Sequence, residues 1–303
     1  MDYYISQCDK VRISKMNAYL MGQQMCLKHQ LHVVIVNYRT SALTIRCVRS
    51  ILRHGIVSPS RITIVENCSG DASFEELSAA LPEVSIIQSP SNGGFGAGVN
   101  FGCRGLSEKY FLILNPDTYF EYDSVSTVIA HMEENKDVGI VGLDLINPDG
   151  TRQYSARRFY SALDIFARRS KALSPFMPKR IERHLMQDAY ARNIPFDAEW
   201  VMGTGFIIQR DVLDAVGGMD VDYFLYMEDV DLCARVWCEG YRVQCLPQAQ
   251  LVHDHQRSSA ASPLSFAGKT HLKSLLKFAR RFSLPLIRPP GTQNIIASFS
   301  GRR

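Results

Sequence analysis

A chain of 303 residues, 46% of them hydrophobic, has the size of one large domain or two small ones and enough apolar side chains for a sizeable core. Its formal net charge of +4 is too small to argue for nucleic acid, and no RNA- or DNA-binding signature appears. The eight cysteines are scattered, none in a Cys-x-x-Cys pair, which speaks against a zinc site and for small buried thiols in a reducing compartment.

Residues 1–30 mix polar and apolar side chains with weak periodicity and read as a partly helical extension. They contain no continuous apolar core, so no signal peptide is expected. No stretch approaches bilayer-spanning length, and the protein reads as cytoplasmic. Residues 31–36 form a near-continuous apolar run, the pattern of a strand buried on both faces, and deliver Asn37-Tyr38-Arg39-Thr40. A helix is predicted over 41–53 and a second strand over 61–65, ending in Glu66-Asn67-Cys68. A short helix at 74–80 leads to a strand at 84–87. Then come the glycine-rich loop 91–100 and a helix to about 106. A fourth apolar strand, 110–114, delivers Asn115-Pro116-Asp117.

This alternation predicts an α/β fold, an open and mostly parallel sheet flanked by helices. In such sheets the ligand lies beyond the carboxyl ends of the strands, where Asn37, Glu66, the glycine loop and Asp117 all fall. Further on, a helix at 124–134, a strand at 138–141 and a turn at 147–150 are expected. Residues 152–193 are rich in Arg and Lys, with a helical pattern broken at Pro175 and Pro178. A strand at 206–208 precedes a helix that Asp211 can cap and Gly217-Gly218 ends. A short strand at 250–252 leads to His253. A basic amphipathic helix over 263–284 carries Leu272, Leu275, Leu276 and Ala279 on one stripe, and the tail from Pro285 reads as loose.

Four groups of residues could carry chemistry. The glycine loop lacks the known phosphate-cradling signatures, but it permits close backbone approach and opens a helix near Ala97 that can face an anion. A tight turn needing positive φ is the plainer alternative. Asp117 supplies one carboxylate, and a hard divalent cation needs only one or two alongside phosphate oxygens; a strand-end turn explains the same residues. His253 offers a nitrogen, which suits Mn²⁺ better than Mg²⁺, against the more common surface histidine. Glu228, Asp229 and Asp231 crowd a helix start, where the helix dipole alone also favours acids. On a helix Asp229 points with Leu232, Cys233 and Val236, Glu228 points with Asp231, and Arg235 stands four residues beyond Asp231 for an ion pair.

Seven pieces in order make the chain similar to the family 2 glycosyltransferases with the GT-A (nucleotide-diphospho-sugar transferase) fold, and most similar to their rhamnosyltransferase-like bacterial branch. They are residues 34–38, 64–67, 92–100, 114–118, 200–205, 217–220 and 224–233, with His253 closing the series. The resemblance spans about 31–257 and so implies a catalytic domain there, preceded by an extension of 1–30 and followed by a basic helix and tail over 258–303. It implies that Asn37, Tyr38, Arg39 and Glu66 contact the nucleoside; the family usually has Asp at the position of Glu66. Asn67, Gly93, Gly94, Phe95, Gly96, Asn100 and Asn115 would complete the donor site. Asp117 and His253 would hold Mg²⁺ or Mn²⁺. Asp229 would be the catalytic base with Glu228 beside it.

The implied reaction is inverting transfer of a sugar from a nucleoside-diphosphate donor, L-rhamnose from dTDP-rhamnose being one such pair, to a glycan or polyprenyl-diphosphate-linked acceptor in cell-surface polysaccharide synthesis. The basic segments suit a phosphate-bearing acceptor and peripheral contact with a membrane, or else a solvated charged face. Two other readings stand beside it. A sugar nucleotidyltransferase would favour a Gly-rich, Lys/Arg-bearing loop after the first strand, which residues 37–40 do not supply. A non-catalytic nucleotide- or glycan-binding relative is favoured by Glu66 alone.

Overall fold

A computed structural model describes residues 28–169, 174–254, 266–282 and 284–300. The extension expected over 1–30 therefore lies almost wholly outside the described residues. The first four strands are Leu31–Asn37 (β1), Ile62–Glu66 (β2), Ser85–Gln88 (β3) and Tyr110–Leu114 (β4). They pair in parallel in the order β3-β2-β1-β4, as consecutive strand–helix units require. Side chains alternate across β1: Val34 and Val36 join one core layer, while Leu31, Val33 and Ile35 join the other. Both layers are apolar, which is why the strand reads as an unbroken hydrophobic run.

The remaining strands of the large sheet are Thr118–Tyr119 (β5), Val138–Ile146 (β6), Phe196–Asp197 (β8), Gly205–Gln209 (β10) and Arg242–His253 (β11). Ala156–Arg157 (β7) and Trp200–Val201 (β9) form a separate antiparallel ribbon. The sheet order is β3-β2-β1-β4-β10-β6-β11-β5, with β8 also on β11. β1, β2, β3, β4, β6 and β11 point the same way; β10, β5 and β8 run against them. This is the expected α/β sheet of mostly parallel strands, with β10 set in reverse between its two parallel blocks.

Several boundaries differ from the sequence expectation. β6 and β11 are far longer than the short runs at 138–141 and 250–252. In β11 the pairing register with β6 shifts between Leu246 and Gln250, around Pro247, whose ring nitrogen cannot donate to a ladder. That irregularity hides a twelve-residue strand as a short one. Asp211 does not cap the helix Arg210–Ala215: it is exposed within the first turn and pairs with Arg210 at 3.2 Å. The helix does end as expected, with Gly218 N–H donating to Leu213 O.

Pro178 opens the helix Pro178–His184 rather than breaking one, since the first helical turn needs no intrahelical N–H there. The tail is not loose throughout. Gly291–Ser300 is helical, and its Ile295 is buried against the main core. The basic helix spans Phe266–Arg281, but its buried face is Ser274 and Phe278, with Phe282 just beyond, while Leu272 and Leu276 of the expected stripe face solvent.

Candidate active site

At the carboxyl edge of the parallel strands, Asn37 ends β1 and Glu66 ends β2, directly opposite each other in register. Ile35 lies opposite Leu114 on the other side, so the Asn115-Pro116-Asp117 turn leaves the same edge. Asn37 is fully buried; its Oδ1 accepts from Thr40 Oγ1 (3.1 Å) and Thr44 Oγ1 (2.8 Å), while its Nδ2 is buried with no hydrogen-bond acceptor. Glu66 is also buried, and its Oε1 accepts from Ser69 N–H at 2.8 Å, so the longer arm folds back to tie its own turn. Arg39 and Cys68 both have left-handed backbone, with φ of 57° at each. Arg39 is fixed by Ser69 through N–H to Oγ (3.0 Å) and Nε to O (2.9 Å), while Tyr38 stands exposed at the lip.

The glycine loop docks against this edge. Asn67 Nδ2 donates to Asn92 Oδ1 (3.1 Å) and Gly94 O (3.3 Å), and Asn92 Oδ1 also receives Gly94 N–H (3.0 Å). Gly94 has φ 86°, and a Cβ there would lie 2.2 Å from Phe224 O, so the position demands glycine twice over. The following helix, Phe95–Cys103, starts two residues before the expected Ala97 and presses on β1, with Gly98 against Val36. Asn100 is turned away from the strand edge: its amide donates to Met219 O (2.8 Å) and accepts from Met219 N–H (2.8 Å). It pins the Gly217-Gly218-Met219 turn. Gly96 packs on Met219, and Asn115 holds its turn through backbone bonds to Thr204 and Thr118.

Asp117 and His253 meet, with His253 Nε2 at 3.3 Å from Asp117 Oδ2. Gln153, which no sequence motif marks, fixes the imidazole. Its Nε2 donates to His253 O (2.8 Å) and Asn147 Oδ1 (2.6 Å), so its Oε1 is the atom facing His253 Nδ1 at 2.7 Å. A carboxamide oxygen only accepts, which puts a proton on Nδ1. A neutral ring then aims the Nε2 lone pair at a carboxylate oxygen. Two acceptors so placed call for positive charge between them, either a second ring proton or a cation. Asp117 Oδ1 is buried without a donor. One carboxylate, one imidazole nitrogen and an orphaned carboxylate oxygen fit a Mg²⁺ or Mn²⁺ that takes its other ligands from phosphate and water. Among the described residues no group of three or more His, Cys, Asp or Glu gathers, so the protein supplies a pair and not a cage.

A cleft of about 990 Å³ opens beside this pair, lined among others by His253, Gln153, Arg157, Trp200, Glu228 and Asp229. Glu228 and Asp229 start the helix Glu228–Cys238, entered through two consecutive left-handed residues, Tyr226 (φ 66°) and Met227 (φ 72°). Such backbone is strained for residues with a Cβ and here turns the helix start toward the cleft. Asp229 Oδ2 accepts from Gly203 N–H (2.9 Å) and Oδ1 from Val230 N–H (2.8 Å). Burial raises the Asp229 pKa above the ordinary aspartate value, against the opposing pull of those two N–H groups and the Arg157 guanidinium. Burial, and then the charge of Asp229, also raises that of Glu228, whose Oε2 has no donor. Asp231 is separate from both. It is fully buried and paired with Arg235 at 2.6 Å, as the four-residue spacing predicts.

The loop 219–227 that delivers Asp229 is held from both sides. The glycine helix touches it at Gly94, Gly96 and Asn100. The basic helix Phe266–Arg281 clasps the other side: Ser274 Oγ donates to Leu225 O (3.0 Å), Lys277 pairs with Asp220 and Asp222 (2.8 Å each), Arg281 reaches Asp220 and Asp231, and the His271 ring packs on Tyr226. His271 and Leu275 of that helix line the cleft. Gln153, Arg157, Trp200, Gly203 and His271 are the site residues that sequence reasoning did not single out. Only the piece 200–205 carried a signal, and it gave Trp200 and Gly203 no role.

Among solved structures, the chain superposes on GalNAc-T7 bound to UDP, GalNAc and Mn²⁺ with a TM-score of 0.60 at 13% identity, covering 83% of this chain and 48% of that one. It also superposes on the mannosyltransferase PcManGT of Pyrobaculum calidifontis, in complex with GDP-Man and Mn²⁺, with a TM-score of 0.52 at 13% identity, covering 90% and 86%. These likenesses establish the GT-A fold. In sequence it is 26% identical over 240 residues to the N-acetylglucosaminyl-diphospho-decaprenol L-rhamnosyltransferase of Mycobacterium tuberculosis, covering 74% of this chain and 76% of that protein. It is 27% identical over 197 residues to the rhamnosyltransferase WbbL of Escherichia coli K12, covering 62% and 70%. The model of glycosyl transferase family 2 matches residues 32–217, from the first strand to the turn that Asn100 pins, and with that match over more than half its length the chain belongs to glycosyl transferase family 2.

Proposed function

We propose that this protein is an inverting rhamnosyltransferase, moving L-rhamnose from dTDP-rhamnose to a hydroxyl of a polyprenyl-diphosphate-linked glycan during cell-surface polysaccharide synthesis. The observation that carries this reading is the Asp229 carboxylate, held by two backbone N–H groups in a cleft that is also lined by His253, the partner of Asp117. The choice of rhamnose rests on the rhamnosyltransferase relatives from M. tuberculosis and E. coli, and that of a lipid-linked acceptor on the M. tuberculosis relative, named for a diphospho-decaprenol acceptor.

In this reading the nucleoside lies across the ends of β1 and β2, against Tyr38 and the buried amide of Asn37. The diphosphate runs along the glycine loop, toward Asp117 and His253. Asp117 and His253 would hold a divalent cation there, which would supply positive charge against the departing nucleoside diphosphate in place of a protein acid. Asp229 accepts the proton of the acceptor hydroxyl as the oxygen attacks the anomeric carbon. Its raised proton affinity suits it to that task, and the hydrogen bonds from Gly203 and Val230 fix both of its oxygens in place. The sugar passes through an oxocarbenium-like state, and one displacement inverts the anomeric configuration. Glu228, drawn toward its protonated form, leaves the pair with one negative charge instead of two. Arg157 and His271 line the same cleft, where a guanidinium and an imidazole can donate hydrogen bonds to a phosphate-bearing acceptor.

Isothermal titration with dTDP, UDP and GDP, each with and without Mn²⁺, tests the donor. Tightest binding by dTDP in the presence of metal is expected. A clear preference for UDP or GDP would remove rhamnose from the proposal, and metal-independent binding would remove the cation.

A further inference from the structure

The helix Phe266–Arg281 has three sides, and among the described residues two of them are engaged. Phe278 and Ser274 face the interior, and His271 and Leu275 face the cleft. The third side carries Lys269, Leu272, Lys273, Leu276 and Arg280, spaced so that they form one strip along the helix. Leu272 and Leu276 are 54% and 51% exposed. The helix contains five Lys or Arg and no Asp or Glu. Lys277 and Arg281 are engaged with Asp220, Asp222 and Asp231, whereas Lys269, Lys273 and Arg280 enter no ion pair among the described residues. Asp222, the one carboxylate among the described residues bordering this strip, is already paired with Lys277. A solvated charged face accounts for the lysines, but it gives no reason for two neighbouring leucines left half-exposed between them.

We infer that this strip docks the protein on an anionic lipid bilayer, with Leu272 and Leu276 entering the headgroup boundary and Lys269, Lys273 and Arg280 meeting lipid phosphates. Apolar side chains flanked by uncompensated basic ones are the chemistry of an interfacial helix. Among the described residues no helix is long and apolar enough to cross a membrane, so contact of this kind is made from one side. The inference rests on the reading that the acceptor is lipid-linked, and it adds a geometry to it. One helix meets the bilayer on its outer side, lines the cleft with His271 and Leu275, and clasps the Asp229 loop through Ser274, Lys277 and Arg281. The cleft mouth is thereby set beside the surface from which a polyprenyl-diphosphate headgroup emerges.

The same clasp makes removal of the whole helix uninformative, because truncation would also release the loop 219–227. The test therefore uses the full chain and point variants on the outer strip. Co-sedimentation is measured with vesicles of phosphatidylcholine alone and of phosphatidylcholine with phosphatidylglycerol, for the wild type, L272Q/L276Q and K269Q/K273Q/R280Q. Wild-type binding to the anionic vesicles only is expected. The triple charge variant should lose on the order of 100-fold in partitioning, at about one factor of five per basic residue. The leucine variant should lose about tenfold. Melting temperature and dTDP binding in solution should be unchanged in both.

Equal partitioning of wild type and both variants, or no wild-type binding to anionic vesicles, overturns the inference. So does a lipid-free dimer, seen by analytical ultracentrifugation, that the leucine variant dissociates, since the strip would then be a self-interface. If vesicle binding follows the strip but dTDP-rhamnose is neither bound nor turned over, the docking surface stands and the proposed reaction fails. The reverse pattern fails the docking surface alone.

Discussion

The strand-end edge that carries Asn37, Glu66 and the glycine loop is built differently from the cleft that carries Asp229. The edge is made by the sheet itself. Its residues follow directly from strands in parallel register, and glycines let the Phe95–Cys103 helix and the loop at Phe224 approach to contact distance. The cleft is assembled from segments far apart in the chain: the ribbon at Arg157 and Trp200, the loop at Gly203, the helix start at Asp229 and the basic helix at His271. It is held by ion pairs and by two strained residues before the helix. One region is a property of the fold, and the other is a property of how loops are tied down. The difference teaches where substitutions should act locally and where they should spread.

The largest effect is expected at the cleft. Asp229→Asn keeps the shape and an acceptor oxygen but removes the base, and transfer should fall by roughly 10³-fold, within the range for loss of a general base. Calorimetric dTDP binding should be intact; near-normal turnover would end the assignment. Gly94→Ala attacks the seam between the two regions. It sets a Cβ against Phe224 O in a left-handed backbone, and a loss of about 2–3 kcal/mol is expected, read as a fall in melting temperature together with weaker nucleotide binding. A variant that lost only turnover would show that the seam is looser than described.

Gln153→Leu removes the group that fixes the His253 ring. Mn²⁺ affinity in the presence of dTDP, followed by electron paramagnetic resonance, should weaken about tenfold, as for other groups that orient a metal ligand. Unchanged affinity would mean that His253 is held by other means or is no ligand.

The smallest effect concerns pH. Glu228 in the folded chain holds its proton more tightly than an exposed glutamate does. Its contribution to stability is therefore complete below the ordinary value of 4.5 and is lost as pH rises above it through the raised folded value. Glu228→Gln has no such loss, so its melting temperature should rise relative to wild type as pH increases. A gain of roughly 2–4 °C at neutral pH corresponds to about 1 kcal/mol in a chain of this size. A difference that shrinks with pH would reverse the sign of the shift.

The sequence made the strand-end edge readable for the same physical reason that makes it rigid. Doubly buried strands leave unbroken apolar runs in 31–36 and 110–114, and a backbone that must touch its neighbour leaves glycines in 93–98. The Asp231–Arg235 pair was readable from helical spacing alone. What stayed hidden depends on long-range contact. Gln153 looks like any polar residue until it bridges Asn147 and His253. The amide of Asn100 resembles a donor ligand but is consumed by Met219. The tail from Pro285 has turn-like composition, yet a helix at Gly291–Ser300 gains its order by burying Ile295. The leucines of the basic helix share a stripe by periodicity, but the packing of Ser274 and Phe278 turns Leu272 and Leu276 outward and leaves Leu275 to the cleft.

The reversed strand β10 has a consequence for how such a chain can diverge. Because it enters the sheet backwards, its leading residues meet the trailing end of β4: Asn115 N–H donates to Thr204 O, one residue from the Gly203 N–H that grips Asp229. The spacing between the metal-side turn and the base is thus a ruler of main chain, indifferent to most side chains. The roughly fifty residues between the end of β6 and β9 stand outside that ruler, meeting the large sheet at β8 and forming the separate ribbon of β7 and β9. That stretch is tied to the site by side chains instead, since Gln153 holds the His253 ring and Arg157 lines the cleft beside Asp229, so a change there reaches the site even though the main-chain ruler is untouched.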